Sequence, residues 1–152
     1  MKTLRKIFGT FLICISFTAY AQPQMSEENI AVINEVTAQV LVFTKTMGYR
    51  HKSIEKGVET LKNLGKENNF SITQTEDSLQ FNEANLKKYD LVLFLSTTMD
   101  VLGPDQEQAF KKYINNGGNY MGIHAASDTE YGWPWYGKLV GAYFTSHPND
   151  PN

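Results

Sequence analysis

The chain has almost no cysteine. Cys14 is the single cysteine among 152 residues, and it lies in an N-terminal stretch typical of a removable leader. Loss of that leader would leave no disulfide, no thiolate metal site and no cysteine nucleophile. We therefore expect the mature chain, which is long enough for one domain, to be held together by its hydrophobic core alone.

An excess of positive charge is also missing. The chain carries 14 basic and 16 acidic residues, and loss of the leader with its three basic residues would change the net charge from −2 to −5. Proteins that bind nucleic acids or anionic membrane surfaces typically carry basic patches. We therefore predict a small-molecule ligand, no nucleic-acid partner and no membrane association after leader cleavage. The oligomeric state stays open.

Two common fingerprints of enzymes are absent from the sequence. There is no Gly-x-Ser-x-Gly motif, which counts against an ordinary serine hydrolase. The pair Gly117-Gly118 precedes a predicted strand instead of joining a strand to a helix. This pair therefore does not form a phosphate-binding or dinucleotide-binding loop.

The three histidines give no metal-binding signature. No two of them share a helix turn or a known ligand spacing. A metal site would need His51, His124 and either Asp128 or His147 to converge from separate segments. We therefore predict no metal and no cofactor.

Residues 1–21 have the three parts of a secretory signal peptide. Three basic residues precede an apolar run over residues 7–17, and Ala19-Tyr20-Ala21 is a small-x-small cleavage site. The apolar run is too short to span a membrane, and an uncleaved N-terminal anchor is the alternative. We predict cleavage before Gln22 and export to the periplasm or the medium. A linker or N-terminal arm is expected over residues 22–38.

Apolar patterns predict strands that alternate with helices. The strands are expected at residues 39–44, 70–75, 90–95 and 119–123. Helices are expected at residues 52–68 and 104–116, and a short polar helix or turn at residues 81–89. The first, third and fourth strands are apolar enough to be buried. This order predicts an α/β fold with a parallel sheet and helices on both faces. Ligands bind such sheets at the carboxyl ends of the strands, where the loops at residues 45–51, 96–100 and 124–128 meet.

His124 follows the fourth predicted strand at a sharp turn. Gly122 lies two residues before it and Ala126 two residues after it, so small side chains flank the turn. This pattern is typical of a strand-to-helix elbow, in which two backbone segments come close together. Residues at such a tip are often held at positive φ, which histidine tolerates better than most residues. We expect the elbow to direct the imidazole of His124 into the ligand-binding edge of the sheet.

Six segments of the chain match the pattern of a known family. They are GYRHKSI at residues 48–54, YDLV at 89–92, GGNYMGIHAA at 117–126, YGWPWY at 131–136, LVGAYF at 139–144 and HP at 147–148. Together they resemble ThuA-like domains. The resemblance runs from residue 39 to the end, and the glycine-isoleucine-histidine elbow is its most specific part. It implies a flavodoxin-like fold similar to the class I glutamine amidotransferases, in a family associated with trehalose utilisation.

The resemblance also implies two differences from those enzymes. The amidotransferases carry cysteine at the elbow, where this chain carries His124, so glutaminase activity is not expected here. Members of the ThuA-like family continue well past a motif such as His147-Pro148. Residues 39–152 are therefore expected to form the N-terminal part of a ThuA-like domain, with an incomplete sheet.

The candidate site residues lie on the three loops and after the elbow. His124 and His51 are the candidate catalytic residues, with acid–base or polar stabilising roles and with Asp128 orienting one of them. The candidate substrate-binding residues are Tyr49, Arg50, Thr98, Asp128, Trp133 and His147.

Each of these roles has a structural alternative. His124 could hold the turn by bonding a backbone group, His51 could be an exposed helix-start residue, and Trp133 could be buried for packing. Two functions therefore stay open. The chain either acts on or binds a carbohydrate or related small metabolite, or it is a non-catalytic ligand- or partner-binding module on an amidotransferase-like scaffold.

Overall fold

The structure is a computed structural model that describes residues 38–148. The strands are β1 (Ala38–Phe43), β2 (Phe70–Thr75), β3 (Leu91–Leu95) and β4 (Asn119–Ile123). The helices are α1 (Ile54–Asn68), α2 (Glu83–Leu86), α3 (Pro104–Asn115) and α4 (Pro134–Val140), with 3-10 turns at Ser78–Gln80 and His124–Ser127. The predicted signal peptide, and residues 22–37 of the predicted arm, lie outside the described residues. None of the helices within residues 38–148 is long and apolar enough to cross a membrane.

The four strands form one parallel sheet in the order β2-β1-β3-β4. β1 pairs with both β2 and β3, and β3 pairs with β4. The local sequence accounts for where the helices begin. Pro104 occupies the first turn of α3, and the side chain of Asn82 accepts a hydrogen bond from the backbone N–H of Asn85 at the start of α2. The predicted α/β fold with a parallel sheet is confirmed.

Burial separates the central strands from the edge strands. β1 and β3 each contain four buried residues in succession, as strands covered on both faces require. β2 is half-buried or exposed along its length because it lies at an edge. The expectation that β4 is buried is wrong. β4 forms the other edge of the described sheet, and its Asn119, Met121 and Gly122 are exposed.

The sheet carries a hydrophobic layer on each face, because side chains alternate between the faces along each strand. Val40 and Val42 of β1 pack on the face covered by α1, whereas Leu41 and Phe43 pack on the face covered by α3 and α4. The prediction of helices on both faces is therefore confirmed.

Aromatic rings fill much of the layer beneath α3 and α4. The ring of Phe94 in β3 has its centroid 5.2 to 5.7 Å from those of Phe43, Phe81, Phe110, Tyr120 and Tyr136. The hydroxyl of Tyr136 also donates to the carbonyl oxygen of Ala126 at 2.8 Å. This packing anchors the elbow and α4 to the centre of the sheet.

Candidate functional site

The elbow has the close backbone approach that its small residues predict. β4 ends at Ile123, and His124 begins the following 3-10 turn with a φ of 55°. A Cβ atom added to Gly122 would lie 2.9 Å from the Cβ of Ala126 and 2.7 Å from the hydroxyl of Tyr120. Glycine is therefore required for the turn to close, and the turn leaves His124 at the carboxyl end of the sheet.

The elbow brings His124 against His51, which lies just before α1. The centroids of the two imidazole rings are 4.5 Å apart, and the rings meet edge to face at 79°. On the other side of His51, the ring of Tyr49 has its centroid 4.8 Å away. The Nδ1 atom of His51 is buried and has no hydrogen-bond partner among the described residues. The pair is therefore held by ring contacts and by the loops that carry it.

The loop that carries His51 is fastened to the loop after β3. The backbone N–H of Met47 donates to the carbonyl oxygen of Thr98 at 2.9 Å, and the N–H of Gly48 donates to its Oγ1 at 3.2 Å. The same hydroxyl donates to the carbonyl oxygen of Tyr49 at 3.1 Å. Thr98 is fully buried, so these hydrogen bonds fix the loop that carries Tyr49 and His51 against the interior of the protein.

An open cleft of about 570 Å³ lies in front of the histidine pair. It is lined by Tyr49, His51, His124, Ala125, Ser127, Asp128, Phe144 and His147. The hydroxyl of Tyr131 lies 2.5 Å from Oδ1 of Asp128 and 2.7 Å from the carbonyl oxygen of Phe144. Burial, together with the Asp128 carboxylate, raises the pKa of Tyr131 to about 12. The neutral phenol therefore links Asp128 to the segment that carries Phe144 and stabilises this side of the cleft.

The protonation of His51 is set by its surroundings. Partial burial lowers the pKa of its imidazole below the usual value, because the charged form loses hydration. The charge that His124 can carry lowers this pKa further, whereas the Asp128 carboxylate raises it. Near neutral pH the folded protein therefore favours an unprotonated His51, whose free lone pair can accept a proton.

We expect His51 to titrate below its usual pKa of 6.5 when its imidazole Cε1–H signal is followed by NMR across pH. The folded state binds this proton less tightly than the unfolded state does. Stability should therefore fall as pH is lowered from 7 through the folded pKa. His124→Asn should move the His51 midpoint upward, because it removes one of the two causes that lower it. A wild-type midpoint at or above 6.5 would contradict this account.

Three of the predicted substrate-binding residues do not line the cleft. The guanidinium of Arg50 pairs with Glu55 at 2.8 Å and with Glu76 at 2.9 Å. Thr98 is buried behind the loop, and Trp133 is only 8% exposed and packs in the core, so the packing alternative describes Trp133. The other predicted residues come together at the cleft; they are Tyr49, His51, His124, Asp128 and His147.

Ser127 and Phe144 line the cleft although neither was predicted. The backbone N–H of Phe144 donates to the carbonyl oxygen of Ser127 at 2.9 Å, which folds the segment after α4 back over the elbow. The position of Ser127 within the elbow loop was an available signal. Phe144 reaches the cleft only through this tertiary contact, which no local pattern indicates.

Comparison with known proteins relates the chain to ThuA-like proteins in sequence and in fold. The ThuA family, described as trehalose utilisation, matches residues 39–152. A crystal structure of a candidate ThuA-like protein from Bacteroides uniformis ATCC 8492 aligns with a TM-score of 0.57 and 22% identity. That alignment covers 70% of this chain and 44% of the other, so this chain spans less than half of that protein's length. A search of the curated proteins found no match.

The family match includes the elbow and every residue that lines the cleft. The structural likeness, at its low identity, independently supports the parallel α/β fold. The chain therefore belongs to the ThuA family.

Proposed function

We propose that this ThuA-family chain is an exported protein that binds a carbohydrate or a small polyol-type metabolite and uses His51 and His124 for acid–base work on it. The observation that carries the proposal is the contact of the two imidazoles, with centroids 4.5 Å apart, in an open cleft. The family description, trehalose utilisation, supports the ligand class. The signal-peptide pattern of residues 1–21 supports export.

The cleft offers the two kinds of contact that sugars use. Tyr49 is 67% exposed and Phe144 is 38% exposed, so each ring can cover the apolar face of a sugar. Asp128, Ser127 and the imidazoles supply acceptors and donors for sugar hydroxyls. In this arrangement Tyr49 and Phe144 supply the aromatic contacts at the cleft, and Trp133, predicted to bind substrate, does not take part.

The histidine pair supplies the proposed chemistry. A neutral His51 accepts a proton from a substrate hydroxyl, and the imidazole of His124 beside it hydrogen-bonds the oxygen that loses the proton. Asp128 stabilises the resulting imidazolium of His51, as its effect on the His51 pKa indicates. Glutaminase activity is not proposed, because an imidazole at the elbow tip is a poor stable nucleophile for acyl transfer.

One observation favours a second candidate, a module that binds the ligand without turnover. Within residues 38–148, the buried Nδ1 of His51 has no hydrogen-bond partner. Catalytic bases are commonly oriented by a third group through such a bond. Under this alternative the same cleft holds a sugar without reacting with it.

We expect His124→Asn to weaken sugar binding by at least ~10-fold while stability changes by less than about 1 kcal/mol. Asparagine accepts the left-handed backbone of residue 124, so the elbow is retained while the imidazole is lost. Binding is measured by isothermal titration of wild type and variant with trehalose, glucose and myo-inositol. NMR of the same mixtures detects conversion of the sugars.

Met99→Asn is the matched control, because Met99 is exposed, has a φ of 62° and does not line the cleft. This control should bind like wild type. Conversion by wild type that is lost in His124→Asn supports the acid–base proposal, whereas binding without conversion supports the binding module. Equal affinities in wild type and His124→Asn, or a stability loss near ~3 kcal/mol with binding intact, would remove His124 from the site.

A further inference from the structure

A second group of ionisable side chains lies outside the histidine cleft. It contains Asp100 from the loop after β3, Glu107 from the first turn of α3 and Glu130 from the segment after the elbow. One carboxylate oxygen from each residue lies within 4.8 Å of the others. The ion pairs formed within residues 38–148 involve other carboxylates, so no basic side chain neutralises this group.

Glu130 is the unusual member of the group. Its side chain is fully buried, and its Oε1 accepts hydrogen bonds from the backbone N–H of Val101 at 2.9 Å and of Leu102 at 2.8 Å. Its Oε2 is also buried but has no hydrogen-bond partner among the described residues. The carboxylate of Asp100 faces it, and two ionised carboxylates can only accept. A buried carboxylate oxygen without a donor is costly unless a cation or a proton occupies the space.

The groups that face Glu130 are acidic or neutral. Burial raises the pKa of Glu130 to about 7, and Asp100 adds to the rise. Burial and Asp100 likewise raise the pKa of Glu107. The phenols of Tyr136 and Tyr143, which face Glu130 from α4 and the segment after it, stay neutral and supply no positive charge.

We propose that Asp100, Glu107 and Glu130 form a binding site for a divalent cation of the Ca²⁺ class, with the unpartnered Oε2 of Glu130 as its buried ligand. Ca²⁺ takes oxygen ligands at about 2.3–2.6 Å, so opposite ligands lie about 4.6–5.2 Å apart. All three oxygens lie within 4.8 Å of one another, so no pair is farther apart than two ligands of one such ion can be. Asp100 is exposed and Glu107 is partly exposed, which leaves the remaining coordination positions open to water.

Such an ion would act on the histidine cleft through the backbone. The backbone N–H of Met99 donates to the carbonyl oxygen of Asp128 at 2.7 Å, and that of Glu130 donates to the carbonyl oxygen of Met99 at 3.1 Å. These hydrogen bonds connect the loop after β3 to the segment after the elbow. The ion would connect the same two segments through the side chains of Asp100 and Glu130. It would therefore fix the loop that presents Asp128, whether or not the cleft is catalytic.

The test is a metal titration of the full chain after removal of bound metals with EDTA and dialysis. At pH 7.5, CaCl₂ should raise the melting temperature saturably, by ~5 °C at saturation, and isothermal titration should give one site. Glu130→Gln keeps the oxygen that Val101 and Leu102 bind but removes the charge, so it should abolish the shift. Asp100→Asn, at an exposed position, should do the same and serves if Glu130→Gln fails to fold.

Glu67→Gln is the matched control, because Glu67 is an exposed carboxylate on α1 outside this group. It should keep the full response to CaCl₂. Absence of a Ca²⁺-induced shift in wild type would overturn the proposal. Retention of the shift in Asp100→Asn or in a folded Glu130→Gln would overturn it as well.

Discussion

Replacing Phe94 with alanine is expected to lower the free energy of unfolding by about 3–5 kcal/mol, which is a large share of the stability of a domain of this size. Phe94 lies in the central strand β3 and is fully buried. Its ring contacts aromatic rings from β1, α3 and α4 at once, including those of Phe43 and Phe110. Removal of the ring leaves a cavity whose walls belong to different elements, so they cannot close together without moving the sheet or the helices.

Urea unfolding curves of the purified variants measure this loss. Phe144→Ala is the control, because it removes the same ring from a position that is 38% exposed and should cost far less. A loss of less than about 1.5 kcal/mol for Phe94→Ala, or equal losses for the two variants, would show that the core relaxes more readily than its packing indicates.

Gly122→Val is expected to destabilise the chain by about 2 kcal/mol or more and to abolish ligand binding at the cleft. Valine suits a β-strand, so local preference predicts no penalty. The cost arises because the new Cβ would lie 2.9 Å from the Cβ of Ala126, which is attached directly to the backbone of the next turn. Relief of that contact requires the turn to move, and the turn carries His124.

The variant should therefore couple a stability loss to a loss of sugar binding, each measured on the same preparation. Gly132→Ala is the control, since nothing lies within 4 Å of a Cβ atom built there and the residue follows the elbow on the same segment. A Gly122→Val protein with wild-type melting and binding would show that the elbow does not depend on this close approach.

The fold was largely predictable because its signals are local. Continuous apolar runs identify β1 and β3, and Pro104 and Asn82 mark helix starts. The burial of β4 was not predictable in the same way. Its Tyr120, Met121 and Ile123 are apolar, and this pattern is the same for a central strand and an edge strand. Only the neighbouring strands determine which of the two β4 is.

The position of the cleft followed from topology, but the direction of individual side chains did not. Arg50 precedes His51 in the chain, yet it turns away because Glu55 and Glu76 offer two carboxylates outside the cleft. Trp133 lies close to the elbow in sequence, but the hydrophobic layer beneath α3 and α4 buries it. Such competition between neighbouring partners is decided by tertiary structure.

The carboxylate group at Glu130 was missed for a related reason. Glutamate is rarely fully buried, and nothing in the sequence around Glu130 marks it as an exception. Its partners come from positions 100 and 107, on the other side of β4 in the chain. Glu130 itself has a φ of 55°, and its backbone N–H donates to the carbonyl oxygen of Met99 at 3.1 Å, which places it beside the loop after β3.

The aromatic packing after the elbow also determines what optical spectroscopy can see. The chain has two tryptophans, Trp133 just before α4 and Trp135 within it, with ring centroids 4.8 Å apart. Tryptophan fluorescence therefore reports on one short segment, which lies immediately after the elbow. Loosening of that segment would change the tryptophan signal while the parallel strands remained intact, so the two tryptophans form an optical probe of the region next to the candidate site.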